Sequence, residues 1–121
     1  MNIGRYGDVE EKKVSGAIGA RIRWLISPRN GAKNFAMRHI TLKGGGSTPR
    51  HEHDYEHEVF ILEGKGMLFY DGSEYEISKG SFMLIEGNRE HQFVNTENDH
   101  FEILCIIPIK ENSIPEEENT I

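Results

Sequence analysis

The chain has 121 residues, which is enough for one domain with a hydrophobic core and without disulfides. It carries 20 acidic and 14 basic residues, but four of the acids lie in the last eleven residues and leave the rest nearly balanced. This distribution lacks the clustered Lys and Arg of a nucleic-acid groove, and no apolar run approaches the roughly 18 residues that cross a bilayer. We therefore expect neither a nucleic-acid nor a membrane partner.

The single cysteine, Cys105, excludes an intrachain disulfide framework and fits a reducing compartment. The first 13 residues mix acids with bases and resemble neither a secretory signal nor a transit peptide. We expect a cytoplasmic protein with an N-terminal segment at 1–13, a folded body at 14–110 and an acidic tail at 111–121.

Short β-prone runs alternate with turn signals that recur every eight to twelve residues. In chain order the runs are 18–26, 34–42, 59–62, 67–70, 74–77, 82–85, 91–94 and 101–107. The glycine triplet Gly44–Gly46 is predicted as a turn, and Asp71-Gly72 is typical of a tight hairpin. The pattern predicts an all-β sandwich or barrel.

Three histidines precede the third run, and a fourth begins the seventh. They are His51, His53, His57 and His91. Neutral imidazole is the commonest side-chain ligand for transition metals. In an extended segment the first three share one parity, so their rings can converge on one point. We therefore predict one divalent transition metal per chain.

Two other interpretations of these histidines are open. On a helix, His53 and His57 would lie one turn apart, which also suits a metal site. A histidine-rich loop could equally be plain polar surface. The run Val59–Leu62 and the glycine turn that follows it favour the extended interpretation.

The stretch Gly45–Gly64 resembles the first motif of the cupin superfamily, and Gly80–Asn95 resembles the second. The ligand places of these motifs fall on His51, His53, His57 and His91. His57 stands where glutamate is usual, and Glu86 and Asn88 replace the usual proline and glycine. The chain thus resembles small single-domain cupins with a four-histidine site.

This resemblance implies a jelly roll, the double-stranded β-helix of the cupin barrel, with a metal inside one end. The subgroup implies manganese or iron, while zinc, nickel and copper stay open. It also implies a homodimer. An association surface is independently expected where Phe60 and Leu62 project away from the histidine face of their strand.

The last predicted strand places Phe101, Ile103 and Cys105 on one face, which we expect to line the interior and a substrate pocket. Arg38 is a candidate to bind a carboxylate or a peroxide-derived anion. For Cys105 the alternative is that of a small core residue.

Three functions are compatible with such a site. The first is an oxygenase-like or oxidase-like oxidoreductase that uses dioxygen or peroxide on a small organic molecule. The second is a module that binds a ligand without turnover, and the third is a non-redox lyase or isomerase in which the metal polarises a carbonyl. We expect a small-molecule ligand in all three cases.

Overall fold

A computed structural model describes residues 1–110, so the predicted acidic tail at 111–121 lies outside the described residues. The described chain contains nine strands and two 3₁₀ turns, Tyr6–Asp8 and Pro28–Asn30. The strands are β1 (Lys12–Lys13), β2 (Ile18–Ile26), β3 (Phe35–Ser47), β4 (His57–Glu63), β5 (Lys65–Tyr70), β6 (Ser73–Ser78), β7 (Phe82–Ile85), β8 (His91–Val94) and β9 (Phe101–Pro108).

All strand pairs are antiparallel. The strand order is β6-β5-β8-β3-β9-β4-β7, with β2 also beside β3 and β1 beside β2. The long strand β3 pairs with β2 and β9 along most of its length and reaches β8 at its end, where Ser47 faces Val94. This curled sheet confirms the predicted all-β jelly roll. Within residues 1–110 no helix is long and apolar enough to cross a membrane.

Alternation along the strands creates the core. In β9 the side chains of Phe101, Ile103, Cys105 and Ile107 are each at most 1% exposed, and the intervening ones are half-buried. The register sets Cys105 opposite Val59 of β4 and Arg38 of β3, so all three face inward. A period of two residues with one buried face is what a strand covering a core requires.

The predicted hairpin at Asp71-Gly72 is confirmed. Tyr70 pairs with Ser73, and both loop residues have positive φ, 50° and 88°. This conformation matches the twist of the flanking strands.

The glycine triplet is different from its prediction, because β3 continues through Gly44–Gly46 instead of turning. A Cβ on Gly44 would lie 2.7 Å from the carbonyl oxygen of Asn98, and one on Gly46 would lie 2.8 Å from that of Ile18. The absence of side chains therefore lets neighbouring backbones meet, which a turn prediction based on composition does not foresee.

Candidate metal centre

Two of the four histidines stand at the start of strands. His57 is the first residue of β4 and His91 is the first residue of β8. Their exposed fractions are 0% and 1%, so both imidazoles lie in the interior of the barrel. Because neighbouring strands hold both backbones, these two rings have fixed positions.

The other two histidines lie in the connection between β3 and β4. His51 forms an isolated antiparallel bridge with His91, in which each backbone N–H donates to the partner carbonyl at 3.1 and 2.9 Å. The carbonyl of His53 accepts from the N–H of Asn88 at 2.6 Å. These bonds draw the connection across the end of the barrel, and they exclude the helical alternative for this segment.

The structure brings all four rings together. Ring centroids are 5.0 Å apart for His51 and His91, 4.9 Å for His53 and His91, and 5.2 Å for His51 and His53. One ligand nitrogen from each of these three lies within 4.8 Å of the others. His57 is outside this closest group, with its ring stacked on His53 at 4.3 Å and 5.4 Å from His91.

The Nε2 atoms of all four histidines are buried and have no hydrogen-bond partner. Buried polar atoms are nearly always satisfied, so four unsatisfied nitrogens at one place require an explanation. The opposite nitrogens supply part of it. His53 Nδ1 donates to the Tyr55 carbonyl and His91 Nδ1 to the Arg89 carbonyl, both at 2.8 Å.

A carbonyl only accepts, so these two rings carry their proton on Nδ1 and present a lone pair on Nε2. This is the tautomer and the ring orientation of a metal-ligating histidine. The donor set therefore fits a transition metal, because buried imidazole nitrogens gathered at one place match its ligand preferences.

The histidines are held neutral. Burial, followed by the positive charges of neighbouring histidines, lowers the pKa of His51 to about 4. Burial is also the main cause that lowers the pKa of His53 to about 4 and the pKa of His57 and His91 below the usual value. The rings are thus neutral at neutral pH, and a metal would not have to displace the extra proton of an imidazolium.

Arg38 and Cys105 lie directly beside the cluster. Arg38 is completely buried and donates from Nη2 to Cys105 Sγ at 2.9 Å, and Cys105 Sγ is 3.2 Å from His57 Nδ1. The guanidinium carbon of Arg38 lies 5.4 Å from the centre of the Trp24 ring. The positive charge of Arg38 also contributes to the lowered pKa of His57.

The other two predicted pocket residues lie deeper in the barrel. Along β9, Ile103 faces Ile40 and Phe101 faces Leu42, two and four residues beyond Cys105. At about 3.3 Å per residue, Phe101 lies roughly 13 Å further along the strand. The structure therefore brings Arg38 and Cys105 to the histidines, and it leaves Phe101 and Ile103 as the apolar wall behind them.

Tyr55 and Trp24 belong to the surroundings of the site, and no sequence pattern places Trp24 there. The Tyr55 ring stacks on His53 at 4.1 Å with an interplanar angle of 10°. The Trp24 Nε1 donor is buried without a partner. Only the pairing of β2 with β3, which sets Trp24 opposite Arg38, reveals its position.

Several polar residues near the motifs have other contacts. Asn95 donates from its amide to the carbonyls of Leu42, Lys43 and Asp99, and so fixes the β8–β9 turn. Gln92 donates to the Thr48 carbonyl. His39 pairs with Glu102 at 2.9 Å, and its ring lies tilted against that of Tyr6 with the centroids 4.8 Å apart. His100 is exposed at the far end of the barrel.

A model of the cupin domain matches residues 38–107, more than half of the chain. The chain belongs to the cupin family. An uncharacterised protein of Methanocaldococcus jannaschii is 31% identical over 90 residues, which cover 72% of this chain and 71% of that protein.

Solved structures support the same assignment. The polyketide cyclase RemF of Streptomyces resistomycificus has a TM-score of 0.84 and 29% identity, and the match covers 91% of this cupin and 80% of RemF. A protein of Thermotoga maritima, described as a predicted oxalate decarboxylase, has a TM-score of 0.79 and 23% identity over 90% of this chain and all of that one. The second likeness concerns the fold alone.

Proposed function

We propose that this cupin binds one divalent transition metal through His51, His53, His57 and His91 and acts on a small organic molecule. The observation that carries the proposal is the set of four buried Nε2 atoms without hydrogen-bond partners. A jelly-roll core of this size does not need a metal in order to fold. A metal at one end of it is therefore better explained by a role in binding or converting a ligand than by a role in stability.

The primary chemistry that we propose is oxidation with dioxygen or peroxide, with manganese or iron as the metal. When bound, such a metal supplies redox activity and Lewis acidity, and four neutral imidazoles leave its positive charge uncompensated by the ligands. The protein's part is to bind and orient the substrate. Arg38 lies inside the barrel and is linked to His57 through Cys105 Sγ. Its guanidinium could bind the carboxylate of a substrate there.

The substrate pocket that we propose extends from Arg38 and Cys105 along the apolar wall of Ile103 and Phe101. Burial of these side chains, all at most 1% exposed, excludes water from the reacting groups. An anionic head at Arg38 and an apolar body against β9 describe a small organic acid. A binding protein without turnover would use the same contacts.

A non-redox reaction is the second candidate, and Tyr55 favours it. Its ring stacks on His53, and burial raises the pKa of its hydroxyl, which keeps it a proton donor at neutral pH. RemF, at 29% identity, is named as a cyclase. In this version a bound metal would supply Lewis acidity toward a carbonyl oxygen, and Tyr55 would hold the proton that is donated.

Metal analysis separates the candidates. Protein purified without nickel affinity should contain about one manganese or iron ion per chain, and it should consume oxygen in the presence of a panel of small 2-oxo and phenolic acids. Stoichiometric zinc with no oxygen uptake would reject oxidation and leave the non-redox reaction. No metal in either the purified or the reconstituted protein would reject the metal site itself.

We also propose a homodimer through the outer face of β4 and β7. Phe60 pairs with Phe82 across these strands, and Leu84 lies on the same face. Their exposed fractions are 43%, 81% and 53%, an apolar patch that a second copy would cover. Sedimentation at micromolar concentration should give a dimer, and Phe82→Glu should give a monomer. A monomeric wild type would contradict the proposal.

A further inference from the structure

The buried Nδ1 atoms of the candidate ligands do not all have the same kind of partner. His53 and His91 donate to backbone carbonyls, whereas the neighbour of His57 Nδ1 is a side chain, Cys105 Sγ, at 3.2 Å. Both His57 and Cys105 are at most 1% exposed, so water does not compete for this contact. The orientation of the His57 ring thus depends on one side-chain atom, Cys105 Sγ, which a substitution can remove.

The direction of this hydrogen bond follows from the metal site. His57 presents a lone pair at its buried, unpartnered Nε2 only if the proton is on Nδ1. Nδ1 then donates to Sγ. The same sulfur accepts from Arg38 Nη2 at 2.9 Å, so it receives two hydrogen bonds from two different strands, β3 and β4.

We propose that Cys105 is a positioning residue for the metal: its sulfur holds His57 in the ligating tautomer and ties that ligand to the guanidinium of Arg38. Sulfur suits this place because it reaches both donors from the β9 backbone. A serine hydroxyl, on a shorter bond to Cβ, falls short of them. The inference rests on the metal site proposed above and gives Cys105 a role other than filling the core.

The test is a zinc titration of the metal-free protein against a chelator of known affinity. Cys105→Ala removes the acceptor, and it should weaken Zn²⁺ binding by about 10- to 100-fold, as the loss of a partner behind a metal ligand does. Cys105→Ser should give a smaller loss. Ile61→Val is the matched control, because Ile61 is an equally buried residue of β4, four positions along the strand from His57. It should bind Zn²⁺ within about 3-fold of the wild type.

A second measurement is independent of overall stability. Nitrogen NMR of histidine-labelled, zinc-loaded protein should report a proton on Nδ1 of His57 in the wild type and a changed Nδ1 resonance in Cys105→Ser. The resonances of His53 and His91, which have carbonyl partners, should stay in place.

The outcomes separate this inference from the proposed function. If the wild type binds no Zn²⁺, the metal site is wrong. If the wild type binds Zn²⁺ and Cys105→Ala binds it equally well, or loses no more than Ile61→Val, the metal site stands and the positioning role of Cys105 is overturned.

Discussion

The four candidate ligands form two pairs with different support. His57 and His91 begin strands and are at most 1% exposed, whereas His51 and His53 lie in the connection between β3 and β4 and are only partly buried. Within the strand ladders, His57 lies opposite Ile85 of β7 and His91 lies opposite Tyr70 of β5. The connection pair is held by a few backbone hydrogen bonds across the barrel end, so we expect it to be the more adaptable half of the site.

The largest expected effect is the loss of a strand-borne ligand. His91→Ala should lower the affinity for Zn²⁺ by more than about 100-fold, because His91 begins β8 and is one of the three histidines whose ligand nitrogens lie closest together. This loss exceeds the 10- to 100-fold typical of losing a partner behind a ligand. His51→Ala should cost less, because the connection can move another donor or a water into place. Competition titrations of both variants make the comparison. Equal losses would contradict the division into a less and a more adaptable half.

The next effect is the pH dependence of the metal-free protein. The folded-state pKa values of His51 and His53, about 4, lie below the unfolded value near 6.5. Between these two values the unfolded chain binds more protons than the folded one, so the free energy of unfolding falls as pH falls. Each such histidine contributes a slope approaching about 1.4 kcal/mol per pH unit in this window.

Urea unfolding from pH 8 to pH 4 measures this slope. Stability should be flat with respect to these groups above pH 7 and should decline below about 6.5. Saturating Zn²⁺ should protect the protein through the upper part of the window, because bound ligands cannot take up protons. An apo protein whose stability does not change between pH 6.5 and pH 4.5 would contradict the burial argument.

A smaller effect is expected at the other end of the strand that carries His91. Asn95→Ala removes the amide NH2, whose two hydrogens are shared among three buried or half-buried carbonyls, and the Oδ1 that accepts from the N–H of Glu97. This loss should cost about 3 kcal/mol of unfolding free energy. Asn95→Asp should lower the free energy of unfolding by at least as much as Asn95→Ala, since a carboxylate cannot donate to those carbonyls. Thermal or urea unfolding gives the values. A neutral Asn95→Asp would indicate that the amide does not hold this turn.

The smallest effect concerns the connection pair. Tyr55→Ala removes the ring stacked on His53 and should weaken Zn²⁺ binding by about 3- to 10-fold, corresponding to the energy of one aromatic contact. Tyr55→Phe keeps the stack and should bind Zn²⁺ like the wild type. If Tyr55→Phe loses as much as Tyr55→Ala, the hydroxyl and not the ring supports His53.

Local sequence patterns were sufficient for most of the fold. The eight predicted strands are all present, and the alternation along the last strand correctly predicted that Cys105 faces the interior. Both predictions succeed because strand propensity and alternation are properties of short segments. The spacing of the histidines likewise indicated one cluster. A two-residue strand, Lys12–Lys13, escaped prediction because it has no apolar residue and exists only through its pairing with β2.

The contacts around the candidate ligands could not be predicted from the sequence. The contact of Cys105 with His57 joins residues 48 positions apart and exists because β4 and β9 pair in one particular register. Trp24 reaches Arg38 in the same way through β2 and β3. Register between distant strands is a property of the whole sheet, and a one-residue shift would turn every one of these side chains outward.

Two glycines lie at the end of the barrel remote from the histidines. A Cβ on Gly64 would lie 2.5 Å from the carbonyl oxygen of His100, and one on Gly66 would lie 2.5 Å from that of Val94. At both positions backbone lies directly against backbone, with no room for even one added carbon atom. The proposed metal and substrate would therefore reach the covered imidazole nitrogens from the opposite end, past the 48–56 connection, whose His51 and His53 are only partly buried.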